Sequence, residues 1–241
     1  MNERKKILSS LLKNGAKVVD SSPMYGRSES IIGDASRSLG ISSDLFMSTK
    51  VWTTGRESGV RQIKSSAQKM NKRQLDLVEI HNLQDWKTHM ATLLRMKDDG
   101  EIRYLGITHY LSHAYDRMEH ILKNYPIDFI QINYNISHQG AADRLLPAAL
   151  NHGKAVIINR PFAGGNVFRR IRDKPLPGVA QELDCQNWAQ LLLKFVLSNP
   201  AVTCAIPGTS QNVHVIENVL ASAGPLPDEK QKIAIEKAYN G

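Results

Sequence analysis

The sequence predicts an α/β fold, a single (β/α)8 barrel of the TIM type over residues 1–241, with the first strand missing so that seven strands are identifiable. Three observations predict it. Short runs rich in Val and Ile recur at Lys17–Ser21, Leu45–Val51, Leu75–His81, Tyr104–His109, Phe129–Tyr134, Ala155–Asn159 and Val202–Ile206. Continuous apolar runs of this length read as strands buried on both faces. Between them lie stretches of helical period: Ser28–Leu39, Gly59–Met70, Lys87–Lys97, Ala114–Lys123, Ala141–Asn151, Asn187–Leu197 and Val213–Ser222. Turn residues fall at the joints, at Gly40, Gly100, Asn124-Tyr125-Pro126, Gly153 and Asn199-Pro200. The repeat is roughly thirty residues long, which suits a βα unit, and each crossover helix returns the chain parallel to the preceding strand. Third, no GxGxxG follows the first run, so the dinucleotide fingerprint of an open doubly wound sheet is absent and a closed barrel is preferred. Such a barrel has eight strands. This chain starts with a helical stretch, Glu3–Lys13, so either the first strand is absent from it or the barrel closes by other means.

Composition narrows the function. Lys and Arg exceed Asp and Glu by 31 to 23, a formal charge of +8. The basic residues are scattered, and no basic stripe interleaves with stacking aromatics, which argues against nucleic acid and for a general attraction to anionic small molecules. Neither Cys185 nor Cys204 belongs to a CxxC pair, so both read as buried free thiols. No run of about 18 apolar residues suggests a membrane span, and the charged start is unlike a signal peptide, so the expected compartment is the cytoplasm. No HExxH, paired CxxC or carboxylate cluster suggests a metal.

In βα barrels the chemistry sits at the carboxyl ends of the strands. The first strand ends in Asp20-Ser21-Ser22 and runs into Pro23-Met24-Tyr25-Gly26; the next ends in Ser48-Thr49-Lys50, and the one after in Glu79-Ile80-His81-Asn82. Alone, an Asp at a strand end is a cap, a Tyr in such a loop is packing, and a His at a strand end is structural. Together they match the demands of carbonyl reduction. Hydride addition builds negative charge on the carbonyl oxygen, and a proton donor has to stand beside it. A free tyrosine, with pKa about 10, is a poor acid at neutral pH. An ammonium within hydrogen-bonding reach lowers that pKa, and an ionised carboxylate keeps the ammonium charged and oriented. The expected roles are Tyr25 as acid, Lys50 as its tuner, Asp20 as the lysine's partner and His81 as the group that orients the substrate oxygen.

Over almost its whole length the chain resembles the aldo-keto reductase superfamily. The resemblance is carried by Val18–Glu29 with its Asp and Tyr, by Leu45–Trp52 around Lys50, and by Leu75–Asn82 around His81. It continues in order through Gly100-Glu101-Ile102-Arg103-Tyr104-Leu105-Gly106-Ile107-Thr108, Gln131-Ile132-Asn133-Tyr134, Asn159-Arg160-Pro161-Phe162, and Ile206-Pro207-Gly208-Thr209 with Glu217-Asn218. It implies NADPH, or NADH, extended across the barrel mouth. Thr108, His109 and Gln131 would lie by the nicotinamide carboxamide, and Arg160, Pro161 and Phe162 along the pyrophosphate. Gly208, Thr209 and Ser210 would take the adenosine phosphate at a helix N-terminus, with His214, Glu217 and Asn218 near the adenine. The family's Gly-rich starting strand has no counterpart here. Asn159 stands where many members carry a stacking tyrosine, His109 replaces the usual Asn, and Gly208 and His214 stand where some members carry Lys and Arg for the 2′-phosphate. Arg169, Arg170 and Arg172 are candidate substitutes. The Gly- and Arg-rich region from Phe162 to Asp184 is expected to close over the cofactor as a long loop, and Trp52 and Trp86 to line an apolar substrate pocket. The expected function is reduction of an aldehyde or ketone to an alcohol; the alternative is a reductase-like cofactor-binding protein with little turnover, serving as a sensor or partner subunit.

Overall fold

A computed structural model describes residues 3–241; Met1 and Asn2, part of the predicted domain, lie outside the described residues. The chain runs α1 (Glu3–Lys13), β1 (Val18–Asp20), α2 (Ser28–Leu39), β2 (Phe46–Val51), α3 (Arg56–Lys69), β3 (Leu75–His81), α4 (Trp86–Asp98), β4 (Ile102–His109), α5 (Tyr115–Asn124), β5 (Phe129–Asn133), α6 (Leu145–Asn151) and β6 (Ala155–Asn159). It continues through α7 (Asn166–Arg170), α8 (Val179–Glu182), α9 (Trp188–Leu197), β7 (Cys204–Ala205), α10 (Asn212–Leu220) and α11 (Glu229–Asn240).

Seven parallel strands form one sheet in chain order, β1 to β7. The predicted strand count holds, and the sheet is a curled half-barrel: β1 and β7 are its free edges and do not pair. Helices α1 and α10 pack on each other, and Leu8 and Leu11 from one, with Val215 and Val219 from the other, reach the cavity between those edges. The strand bodies are apolar because both faces are covered. Met47, Val51, Leu77, Ile80, Leu105, Ile107, Ile130, Ile132, Val156 and Ile158 are all fully buried, and each such side chain contributes about 1.5–3 kcal/mol relative to exposure. The helix layer is tight on the β1–β3 side: a Cβ on Gly33 of α2 would stand 1.9 Å from the Lys69 carbonyl oxygen of α3, so only glycine permits that approach.

Two expectations are corrected. The region from Phe162 to Asp184 is not a free loop, because it folds into α7 and α8 and buries Val167, Ile171, Ala180 and Leu183. Two of its basic residues are tied to the end of α11, whose Tyr239 carbonyl accepts from Arg170 Nε at 3.2 Å and from Lys174 Nζ at 2.8 Å. Arg170 is thereby removed as a phosphate ligand. Second, only two residues of the predicted strand Val202–Ile206 pair, since β7 has a neighbour on one side alone. Helix α11, which the sequence pattern did not announce, starts at a capping box in which Asp228 accepts from Gln231 N at 2.8 Å and Gln231 Oε1 accepts from Asp228 N at 3.1 Å.

Candidate active site

The parallel register assembles the site. Lys50 lies opposite Glu79, Glu79 opposite Gly106, and His81 opposite Thr108, which in turn faces Gln131. Alternation along each strand sends these side chains to the same inner face. His81, Thr108 and Gln131 open on a cavity of about 920 Å³ whose walls also include Asp20, Tyr25, Asn159, Arg160, Gly208 and Thr209.

Asp20, Tyr25, Lys50 and His81 come together here. Lys50 is fully buried, and its ammonium donates to both Asp20 oxygens at 2.7 Å and to the Ser21 carbonyl at 2.8 Å. Burial pulls the Lys50 pKa down, but Asp20 and then Glu79 outweigh it, and the net shift is upward. Lys50 stays charged at neutral pH. Ser48 Oγ adds a 2.9 Å bond to Asp20 Oδ1. Tyr25, on the loop after β1, is half exposed, and Lys50 Nζ stands 5.8 Å from its ring centroid.

The tuning of Tyr25 differs from the expected one. Burial raises the phenol pKa, Lys50 opposes it, Asp20 and Glu79 add to it, and the net shift is upward. Among the described residues Lys50 Nζ hydrogen-bonds to Asp20 and Ser21, not to the phenol. The lysine field is present, but much of it is spent on the carboxylate that holds the lysine in place.

His81 meets its expected placement with an added partner. Its Nδ1 stands 3.2 Å from Ser22 Oγ, and that oxygen already accepts from Met24 N–H at 3.3 Å. When the Ser22 hydroxyl donates to Nδ1, the imidazole proton sits on Nε2 and Nε2 is the donor. Burial first and Lys50 second lower the His81 pKa to about 4, so the ring is neutral at pH 7. Trp52 lies at 6.1 Å and Tyr25 at 6.2 Å from the His81 ring, centroid to centroid.

The predicted cofactor residues divide. Thr108 and Gln131 are buried beside the acid–base group. Gln131 Nε2 donates to Glu79 Oε2 at 2.8 Å and Asp20 Oδ1 at 3.1 Å, while its oxygen accepts from Thr108 Oγ1 at 3.3 Å and Asn159 Nδ2 at 3.4 Å. His109 turns its Nδ1 to Leu111 N–H at 3.1 Å. Arg160 takes a positive φ of 50° at the end of β6 and lays its guanidinium 5.1 Å above Tyr110. Gly208, Thr209 and Asn218 line the cavity, and Thr209 Oγ1 accepts from Gln211 N at 3.1 Å beside His214 Nδ1 at 3.3 Å. Pro161, Phe162, Ser210, His214 and Glu217 do not line it; Phe162 packs on Phe168 at 4.9 Å, and Glu217 accepts from Asn187 Nδ2 at 3.2 Å.

Neither predicted tryptophan lines the cavity: Trp52 stands beside it, 6.1 Å from the His81 ring, and Trp86 packs edge-on against Tyr125 at 5.1 Å and against the core. A tryptophan opening a helix looks the same in sequence whether it faces the core or the mouth. Three residues were missed. Glu79 was legible from alternation, which puts it on the face of His81, and Ser22 from its place beside the Asp20 strand end. Tyr110 carried no signal that ties it to Arg160.

The model of the aldo/keto reductase family matches residues 1–239. An aldo-keto reductase, str7 of Strobilurus tenacellus, is 26% identical over 100% of this chain and 83% of its own length. Glyoxal reductase of Bacillus subtilis is 23% identical over 90% of this chain and 77% of its own. A crystal structure of an aldo/keto reductase from Klebsiella pneumoniae, in complex with NADP and acetate, superposes with a TM-score of 0.79 at 22% identity, covering 98% of this chain and 86% of that one.

Proposed function

This chain belongs to the aldo/keto reductase family, and from that premise we propose that it reduces the carbonyl of a small aldehyde or ketone to an alcohol, with Tyr25 as the proton donor. The observation that carries the reading is Lys50, a buried ammonium clamped by Asp20 at 2.7 Å, with its Nζ 5.8 Å from the ring centroid of Tyr25, a phenol that shares the cavity with His81 and Asp20. A nicotinamide cofactor, NADPH or NADH, supplies the hydride when bound. The residues suit it: Asn159 lines the cavity with a buried Oδ1 that has no partner among the described residues, an acceptor that a carboxamide N–H would satisfy. The cavity of about 920 Å³ also lies in the usual range for cofactor pockets.

Each side chain then has a task. His81 donates from Nε2 to the carbonyl oxygen and fixes its position beside the phenol. Tyr25 gives its proton to that oxygen as negative charge builds there, and the Lys50 field stabilises the tyrosinate left behind. Asp20 keeps the ammonium charged and immobile, so no reorganisation is needed at the moment of transfer. Arg160, above Tyr110, and Gly208 and Thr209 at the entry to α10 would hold the anionic part of the cofactor, with Asn218 farther along α10 toward the adenine. Trp52, 6.1 Å from the His81 ring and outside the cavity lining, would offer an apolar surface to a substrate that reaches past His81.

A second reading is a cofactor-binding protein with little turnover. It is favoured by the raised pKa of Tyr25 and by an ammonium whose hydrogen bonds go to Asp20 and Ser21. Mixing the protein with NADPH or NADH and a panel of aldehydes separates the two. Loss of nicotinamide absorbance on addition of aldehyde supports the enzyme; tight binding by fluorescence titration with no turnover on any aldehyde supports the second reading.

A further inference from the structure

Resting on the reading above, one buried acid has no task. Glu79 stands two residues before His81 in β3, with its side chain on the same inner face. Gly106 makes room for it, since a Cβ there would sit 3.3 Å from Glu79 Cγ and 2.7 Å from the Phe129 carbonyl oxygen. The residue is wholly buried. Its Oε2 accepts from Gln131 Nε2 at 2.8 Å and stands 3.8 Å from Lys50 Nζ, while its Oε1 has no partner among the described residues.

Two carboxyls therefore share one ammonium, and Gln131 bridges them, reaching Asp20 Oδ1 at 3.1 Å. If both were ionised, a net negative charge would stand out of water without a counter-ion, an arrangement buried sites avoid. Asp20 takes the ionised share, because both its oxygens meet Lys50 at 2.7 Å and Ser48 adds a donor. Glu79, with one bare oxygen and a longer approach to Lys50, loses least by keeping a proton.

We propose that Glu79 is a positioning residue that acts through its proton: neutral, it leaves the Lys50 field to Asp20 and Tyr25, and ionised, it adds a second negative charge beside Lys50 and weakens Tyr25 as an acid. No bond to substrate changes. The proton passes only between the Glu79 carboxyl and solvent. The groups facing Glu79 are Asp20 on β1, Tyr25 on the following loop, Lys50 on β2, Gly106 on β4, Gln131 on β5 and Cys204 on β7. The Cys204 thiol is pushed up to about 12 by burial, then by Asp20 and Glu79, so it stays neutral. Burial, opposed by Lys50, raises the Glu79 carboxyl to about 8. Its negative charge raises the pKa of Tyr25. Because the folded pKa is raised, the neutral form prevails below about 8 and is lost as pH climbs through that value.

The test compares wild type with Glu79→Gln, which keeps the shape and an acceptor for Gln131 but carries no proton to lose. In wild type, kcat/KM for aldehyde reduction should fall above pH about 8, and at about pH 9 the variant should retain about tenfold more of its own neutral-pH value than wild type does, as one titrating group dictates. Superimposable normalised profiles would overturn the proposal. Two readouts do not need turnover. Carbon-13 NMR of labelled glutamate carboxyls should show one resonance with a midpoint near 8, absent in the variant; a Glu79 midpoint in the ordinary range of about 4–5 contradicts the proposal. Tyrosinate absorbance, taken as the difference from Tyr25→Phe in each background, should give a lower Tyr25 midpoint in Glu79→Gln, and equal midpoints overturn it. Failure of the reductase reading alone leaves these two titrations intact, so the two failures are distinguishable.

Discussion

On the β1–β3 side of the mouth, Lys50 spends its hydrogen bonds on protein oxygens at 2.7–2.8 Å, and Asp20, Gln131, Ser48 and Ser22 complete the group. On the β6–β7 side, Thr209 and His214 meet each other at 3.3 Å near a strand of two residues, and Gly208 and Ser210 are exposed. The first region is built in advance. Its Lys50–Asp20 charges are fixed by burial and register. The second offers donors at a helix entry and open room, and its order is left to the molecule that binds there. The difference teaches that, on the proposed reading, acid–base chemistry and cofactor grip are separate structural problems, placed toward opposite edges of one open sheet.

Breaking the prebuilt side should have the largest effect. Lys50→Met strips Asp20 of its counter-ion inside the protein, and removal of one partner of a buried pair costs about 3–5 kcal/mol. Denaturant unfolding should show a loss of that order; a loss under about 1 kcal/mol would mean that Asp20 is solvated in the folded protein. The two tryptophans sharpen the contrast on a second axis. Trp86→Ala should cost about 3–5 kcal/mol of stability by opening a cavity beside Tyr125 and leave KM for aldehyde near that of wild type. Trp52→Ala should do the reverse, raising KM about tenfold through lost apolar contact with little change in unfolding. Exchanged outcomes would put Trp86 back at the mouth. The smallest effect belongs to the open side. A side chain at Gly208 meets nothing within 4 Å, so Gly208→Lys should fold and gain one exposed ion pair to a 2′-phosphate. That is worth about 0.2–1 kcal/mol, or up to about fivefold in the NADPH to NADH affinity ratio by fluorescence titration. No change in that ratio would place the adenosine phosphate elsewhere.

Much of this contrast was legible in the residues alone. Leu75–His81 and Ala155–Asn159 are strands as predicted, because runs buried on both faces are apolar throughout and end abruptly. Asp20, Lys50 and His81 were legible for the same reason: polar side chains that close apolar strands stand out. What resisted reading depends on neighbours far away in the chain. The Phe162–Asp184 segment looked like a loop because of its Gly and Arg content, yet it buries Val167, Ile171 and Leu183, and its α8 packs on α11, which was not foreseen. Glu79 looked like one more polar residue at a strand end; its isolation becomes visible only when Gly106, Gln131 and Lys50 are placed around it. The pKa of Tyr25 was misjudged because distance to Lys50 was weighed and burial was not.

The central claim is that Tyr25 gives the proton in carbonyl reduction, and Tyr25→Phe tests it most directly. The account predicts that kcat/KM for aldehyde falls about 10²–10⁴-fold, the usual worth of a positioned acid, while the cofactor titrates with unchanged affinity. A variant that reduces aldehyde as fast as wild type would contradict it.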